Sequence, residues 1–199
     1  MSENKDDAYL KQVFVTQTKG FKDVTTKHEI WQEVANEFDA ELKVSHTTDN
    51  VFKIFRINIP YNNLEIKLSE SDTQPLKFEI SFTSILDFEL IIGIEDSIDR
   101  LLKKLGKKEL ELGNEEFDKK YLINSHNPEI TKKLITQDII EGFIKSEVYS
   151  FAYTSDIKKQ TSNLLSVISR TIEDKDKITD LIRLHMKIID NLKGLKIVE

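Results

Sequence analysis

Between residues 53 and 94 apolar and polar side chains alternate almost without a break. In "VFKIFRINIP" the apolar positions are Phe55, Ile57 and Ile59, and in "LEIKL" they are Leu64, Ile66 and Leu68. "LKFEISF" continues with Leu76, Phe78, Ile80 and Phe82, and "FELIIGI" with Phe88, Leu90, Ile92 and Ile94. A period of two is that of a strand with one buried face. "PYNN" and "SESDTQP" supply turn residues between the runs. With a first strand around Leu42 and Val44, the pattern predicts an antiparallel meander of about five strands, one face apolar and one wet.

On either side of this block the period lengthens to that of a helix. Residues 8–18, with Leu10, Val13 and Phe14, read as a helix, although "VFV" suits a strand equally well. In "TTKHE" Thr26 and Glu29 have the spacing of a capping box, and Ile30, Trp31, Val34 and Phe38 follow along one face. "EDSIDRLLKKLG" is a third helix, with acids in its first turn, lysines in its last and Gly106 past its end.

The chain then reads as a short strand "ELEL" and an extended segment 117–124, where Tyr121 and Ile123 alternate with Leu122 and Asn124. A helix starts at Asn127 with Pro128 and Glu129 in its first turn, and "QDIIEGFIK" follows Thr136 as a second. Strands "VYSFAYT" and "LLSVISRTIE" come next, and a long helix begins after Asp174. On it Ile178, Ile182, His185, Ile189 and Leu192 form a seam, thickened by Leu181 and Ile188. Such a seam packs on the chain's own sheet or on a partner helix. These five residues are therefore the candidate interface for self-association.

The expected fold is α+β. Residues 1–106 form a helix and antiparallel-sheet half. Residues 107–199 form a smaller strand-helix-helix-strand-strand-helix half, and the two share one core.

Composition narrows the classes of function. The 199 residues carry a net charge of −6. All of it lies in residues 1–106, with 13 basic against 19 acidic side chains, while residues 107–199 balance at 16 each. No basic stripe suited to phosphates is visible, so no nucleic-acid partner is expected. With no cysteine, disulfides, thiolate metal sites and cysteine nucleophiles are excluded. "MSENKDDAYLKQ" does not read as a leader, and no apolar run nears the roughly 20 residues that span a bilayer. A cytoplasmic chain without membrane insertion is expected.

Candidate chemistry is sparse. His28, His46, His126 and His185 are scattered, without metal-binding spacing. The one cluster is in "GNEEFDKKYLINSHNPEITKKLIT", where Glu115, Glu116 and Asp118 precede His126. If 117–124 is extended, those acids lie roughly 25 Å from the histidine, so neither a metal nor an acid–base pair is expected there. "KKLGKKE" at 103–109 is explained by lysines at a helix C-terminus. The six glycines occur singly, no phosphate loop or nucleophile elbow is present, and no catalytic residue or cofactor is expected. Phe52, Phe55, Phe78, Phe82 and Phe88 on the meander, with Tyr149, Phe151 and Tyr153 later, line either a plain core or a small apolar-ligand pocket.

Gly113, Phe117, Asp118, Asn127, Pro128 and Leu134, followed by the block 164–192, resemble a pattern in uncharacterised bacterial proteins. In that pattern a Gly-acid-x-x-Phe-Asp segment leads into a strand and an Asn/Asp-Pro helix start. Asn114 departs from it, where an acid is usual. The resemblance implies a unified fold and an intracellular bacterial origin, and it carries no activity.

The functional expectation is a non-catalytic protein-interaction or assembly module, self-associating or bound to another protein. The alternative is a small apolar-ligand binder. A third reading is an acidic inhibitor or immunity-type protein whose first half meets a basic partner.

Overall fold

The computed structural model describes residues 24–47, 52–71, 73–94, 110–168 and 172–199. The expected helices at 8–18 and 95–106, the basic run 103–109 and the boundary at 106 lie outside them.

Helix α1 (Val24–Glu37) leads into strands β1 (Leu42–His46), β2 (Lys53–Tyr61), β3 (Leu64–Ser71), β4 (Gln74–Thr83) and β5 (Leu90–Gly93). Then come α2 (Glu115–Lys120), β6 (Leu122–Ser125), α3 (Pro128–Leu134) and α4 (Gln137–Lys145). β7 (Val148–Asp156), β8 (Thr161–Ile168) and α5 (Lys175–Gly194) complete the order. Among the described residues the strands form one antiparallel sheet, ordered β1-β2-β3-β4-β8-β7-β5-β6. The α+β class and the meander stand, with one difference in detail. Four strands run consecutively, and β5 crosses over to lie between β7 and β6. Both halves of the chain therefore build the same sheet.

The alternation read from the sequence becomes a single row of side chains across all eight strands. It runs Leu42, Ile57, Leu68, Phe78, Ser166, Phe151, Ile92, Ile123. The helices cover this face. Trp31 of α1 lies against Phe55, Phe143 of α4 against Phe151, and His185 of α5 against Phe78. The opposite face is polar over β2 and β3. Over β5, β7 and β8 it carries Ile91, Ala152 and Val167, which are buried as well. The sheet is thus one-sided only in its first half.

Local chemistry sets the ends of the elements. Asn62 and Asn63 adopt positive φ, +49° and +63°, in the two-residue turn joining β2 and β3, a conformation asparagine tolerates. α5 clasps that turn: Asp190 accepts from Tyr61 Oη at 2.8 Å and Asn62 Nδ2 at 2.9 Å, and Lys193 Nζ donates to Asn62 O. Asp174 caps α5 and Asn127 caps α3 with Pro128 behind it, as expected. α1 begins at Val24, so Thr26 lies inside its first turn and not at its cap.

Two further expectations are corrected. Residues 115–120 form a short helix, with Asn114 Oδ1 accepting from Phe117 N at 3.0 Å. Phe117 and Tyr121 then fall four apart with their rings tilted at 34° and 4.6 Å between centroids, and this segment is extended only from Tyr121 onward. Of "ELEL", residues 110–112 are not a strand, although Leu110 N donates to Ile123 O at 3.1 Å.

Candidate interaction surface

The candidate residues that fall among those described each have a definite place. The acids of residues 115–118 do not converge on His126. Asp118 turns back on its own loop, accepting from Leu112 N at 2.9 Å and Gly113 N at 2.8 Å. Glu115 and Glu116 are exposed on the rim of an open notch. His126 instead sits 3.5 Å from Glu89, in the loop before β5. Among the described residues no three potential ligands are grouped to hold a metal ion. The arrangement predicts an asymmetric result. Asp118→Ala frees two backbone donors and lowers stability by about 1–2 kcal/mol, while Glu115→Ala with Glu116→Ala changes it by less than about 0.5 kcal/mol. Urea unfolding of the two variants measures the difference.

The candidate interface on the last helix is also placed. Ile178, Ile182, Ile189 and Leu192 are fully buried and His185 is 1% exposed. They belong to the chain's own core, together with Leu181 and Ile188, and the His185 ring lies on Phe78 of the sheet. A partner helix could reach these five side chains only by opening the core.

The aromatic residues of the meander pack on one another. Phe82 and Phe88 both meet Tyr153, at 6.0 and 5.6 Å between ring centroids, and Phe78 takes the His185 ring at 4.0 Å. Tyr153 Oη is bonded to Ser162 Oγ at 2.8 Å, so the polar end of this cluster is satisfied too.

Between α4 and α5 lies a cleft of about 400 Å³, whose charged lining is Asp138, Glu141, Lys145, Asp180, Arg183 and Lys187. Four of these charges pair across the cleft, while Arg183 reaches Glu37 of α1 and Glu141 accepts from Gln137. Lys145 meets Asp180 at 2.7 Å and Lys187 meets Asp138, each across the two helices. Gly142 lets the helices approach, since a Cβ there would stand 2.7 Å from Leu184 Cδ1. The cleft is a helix–helix seam closed by exposed ion pairs, each of small energetic value.

A different surface emerges at the end of β4. Among the described residues four large apolar side chains are exposed: Val44 (38%), Ile85 (51%), Leu86 (37%) and Ile157 (42%). Three of them stand on two loops that are bonded together. Ser84 N donates to Gln160 O at 3.0 Å, and Phe88 N donates to Ser155 Oγ at 3.0 Å. Ser155 Oγ in turn bonds Asp87 Oδ1 at 3.1 Å. Beneath the loops, Ile85 N and Leu86 N both donate to Ile197 O in the C-terminal segment. The two bonded loops thus present Ile85, Leu86 and Ile157 at one end of the sheet, with two acids, Asp87 and Asp156, and two lysines, Lys158 and Lys159, beside them in the loops. Local sequence analysis missed it, although one signal exists: "SILDF" and "SDIKKQ" each place large apolar residues inside turn material.

The architecture defines a class by shape: one antiparallel sheet with its long helices gathered on one face. No protein-family model and no curated protein matches the chain. Among solved structures, it is similar to the mycobacterial trehalose monomycolate transport factor A, TtfA. The TM-score is 0.51 at 7% identity, over 82% of this chain and 93% of that one, a likeness of fold alone. No helix among the described residues is long and apolar enough to cross a membrane.

Proposed function

We propose that the chain is a non-catalytic protein-interaction module that docks a partner protein on the apolar tip formed by Ile85, Leu86 and Ile157. One observation carries this reading: three of the four exposed large apolar side chains share two mutually bonded loops. Scattered exposed apolar residues are ordinary, but a rigid apolar group within a polar rim is what an interface core requires. Holding the loops by backbone bonds to the C-terminal segment also lowers the entropy lost on docking. The fold shared with the transport factor supports a scaffold of this shape and adds nothing on the partner.

The balanced rim separates this reading from that of an acidic inhibitor. Binding at the tip should change little between low and moderate salt, because no net charge is neutralised there. A photoreactive residue at Ile157 should cross-link one protein in cells, whereas the same probe at Gln74, exposed at the other end of β4, should not. With that partner purified, Ile157→Ser should weaken binding about tenfold, as for an interface-core side chain. Adducts confined to lipid, or equal adducts at Ile157 and Gln74, would remove the proposal.

A further inference from the structure

The sheet has two edges, and they are finished differently. At β6 an outside group already bonds the edge, through Leu110 N and Ile123 O. At β1 the bonding pattern is fixed by Thr47 N, which donates to Phe52 O at 2.9 Å in the β1–β2 register. Alternation along an antiparallel pair then assigns Lys43 and Ser45 to β2. The N–H and C=O groups of Leu42, Val44 and His46 face away from the sheet. Among the described residues no hydrogen bond reaches them. The Val44 side chain lies on the helix-covered face, opposite Phe55, and is 38% exposed. An open row of donors and acceptors beside an exposed apolar side chain is a site for strand addition.

We propose that β1 pairs antiparallel with β1 of a second copy of this chain, on a two-fold axis through Val44. The strand's own sequence selects that register. With Val44 opposite Val44 of the partner subunit, Leu42 faces the partner's His46, and all three outward residues exchange bonds, giving about six hydrogen bonds. Lys43 then faces the partner's Ser45. Sliding by one pair toward Leu42 would set Lys43 against its own copy, a like-charge pair that destabilises a sheet. Sliding the other way would leave Leu42 unpaired. The contact is isologous, as closed two-fold dimers are. A five-residue strand buries little area, so the dimer is weak and exchanging. This inference concerns a different surface from the tip and rests on the interaction reading only in making the chain an assembly component.

Sedimentation velocity of the full chain should show mass rising from monomer toward dimer across the micromolar range. Val44→Pro removes an outward-facing donor without touching a bond to β2, so it should keep the fold and abolish the rise. Because the chain has no cysteine, the register can be tested directly. Residues 43 and 45 of the partner would form a non-hydrogen-bonded pair, the spacing a disulfide accepts. Mixed Lys43→Cys and Ser45→Cys chains should therefore cross-link several-fold faster than either alone. A constant monomer mass, an unaltered rise in Val44→Pro, or equal rates for mixed and single populations would each overturn the proposal. Val44→Pro should leave cross-linking at Ile157 unchanged, so the two readings fail separately.

Discussion

Replacing Lys27 by Met should cost this protein about 3–5 kcal/mol, the loss typical when one member of a buried ion pair is removed. Lys27 on α1 donates from Nζ to Glu70 Oε1 on β3 at 2.9 Å, and their side chains are only 7% and 0% exposed. The ammonium also stands 5.3 Å from the centre of the Phe55 ring, and the stem that carries it is buried. Methionine matches that stem closely in length and volume, so the packing survives and the charge does not. What remains is a carboxylate in the core with its nearby cation gone. The paired substitution Lys27→Met with Glu70→Leu removes both charges and should return to within about 1 kcal/mol of the parent or exceed it. Urea unfolding of the parent, both singles and the double closes the cycle. If Lys27→Met alone lost less than about 1 kcal/mol, the pair would be better solvated than its burial indicates.

That pair also shows where reading residues in order stops. Glu70 sits in "KLSESD", which reads as the polar end of a strand running into a turn, and Lys27 reads as the outer face of a helix. Nothing local joins positions 43 residues apart. Strand alternation from Phe55 to Phe82 was legible because one face of β2–β4 is buried and the other polar, so the period is strict. The position of β5 was not. Its "LIIG" is buried at all four residues, the mark of an inner strand covered on both sides, yet alternation alone made it the next member of the meander. α2 was missed because six residues hold too little periodicity. Its signal was the single pair Phe117 and Tyr121, four apart. The tip left only the faint signal of apolar residues inside turn material, because exposure of an apolar side chain is decided mainly by what the fold brings over it.

His185 gives the second large effect, and it bears on whether the α5 seam is core or interface. Its ring lies parallel to Phe78 at 4.0 Å and 6°, and Nδ1–H donates to Leu181 O at 2.7 Å. Burial pushes its pKa down from 6.5 to about 4, against a smaller upward pull from the Leu181 carbonyl. The folded state therefore holds the neutral ring while the unfolded chain takes up a proton below pH 6.5. Stability from this group is complete above that pH and drains away as pH falls toward 4. The linkage amounts to roughly 2 kcal/mol by pH 5 and about 3 kcal/mol below pH 4. His185→Phe keeps a flat ring over Phe78 and removes the titration, so its stability should fall less steeply between pH 7 and pH 5. His28, His46, His126 and the exposed carboxylates are common to both chains and cancel in the comparison. Parallel curves for parent and variant would mean that the ring meets water, and with it that the seam from Ile178 to Leu192 opens. Curves that part by the expected amount would hold the seam as core and leave the β1 edge and the loop tip as the surfaces free to meet a partner.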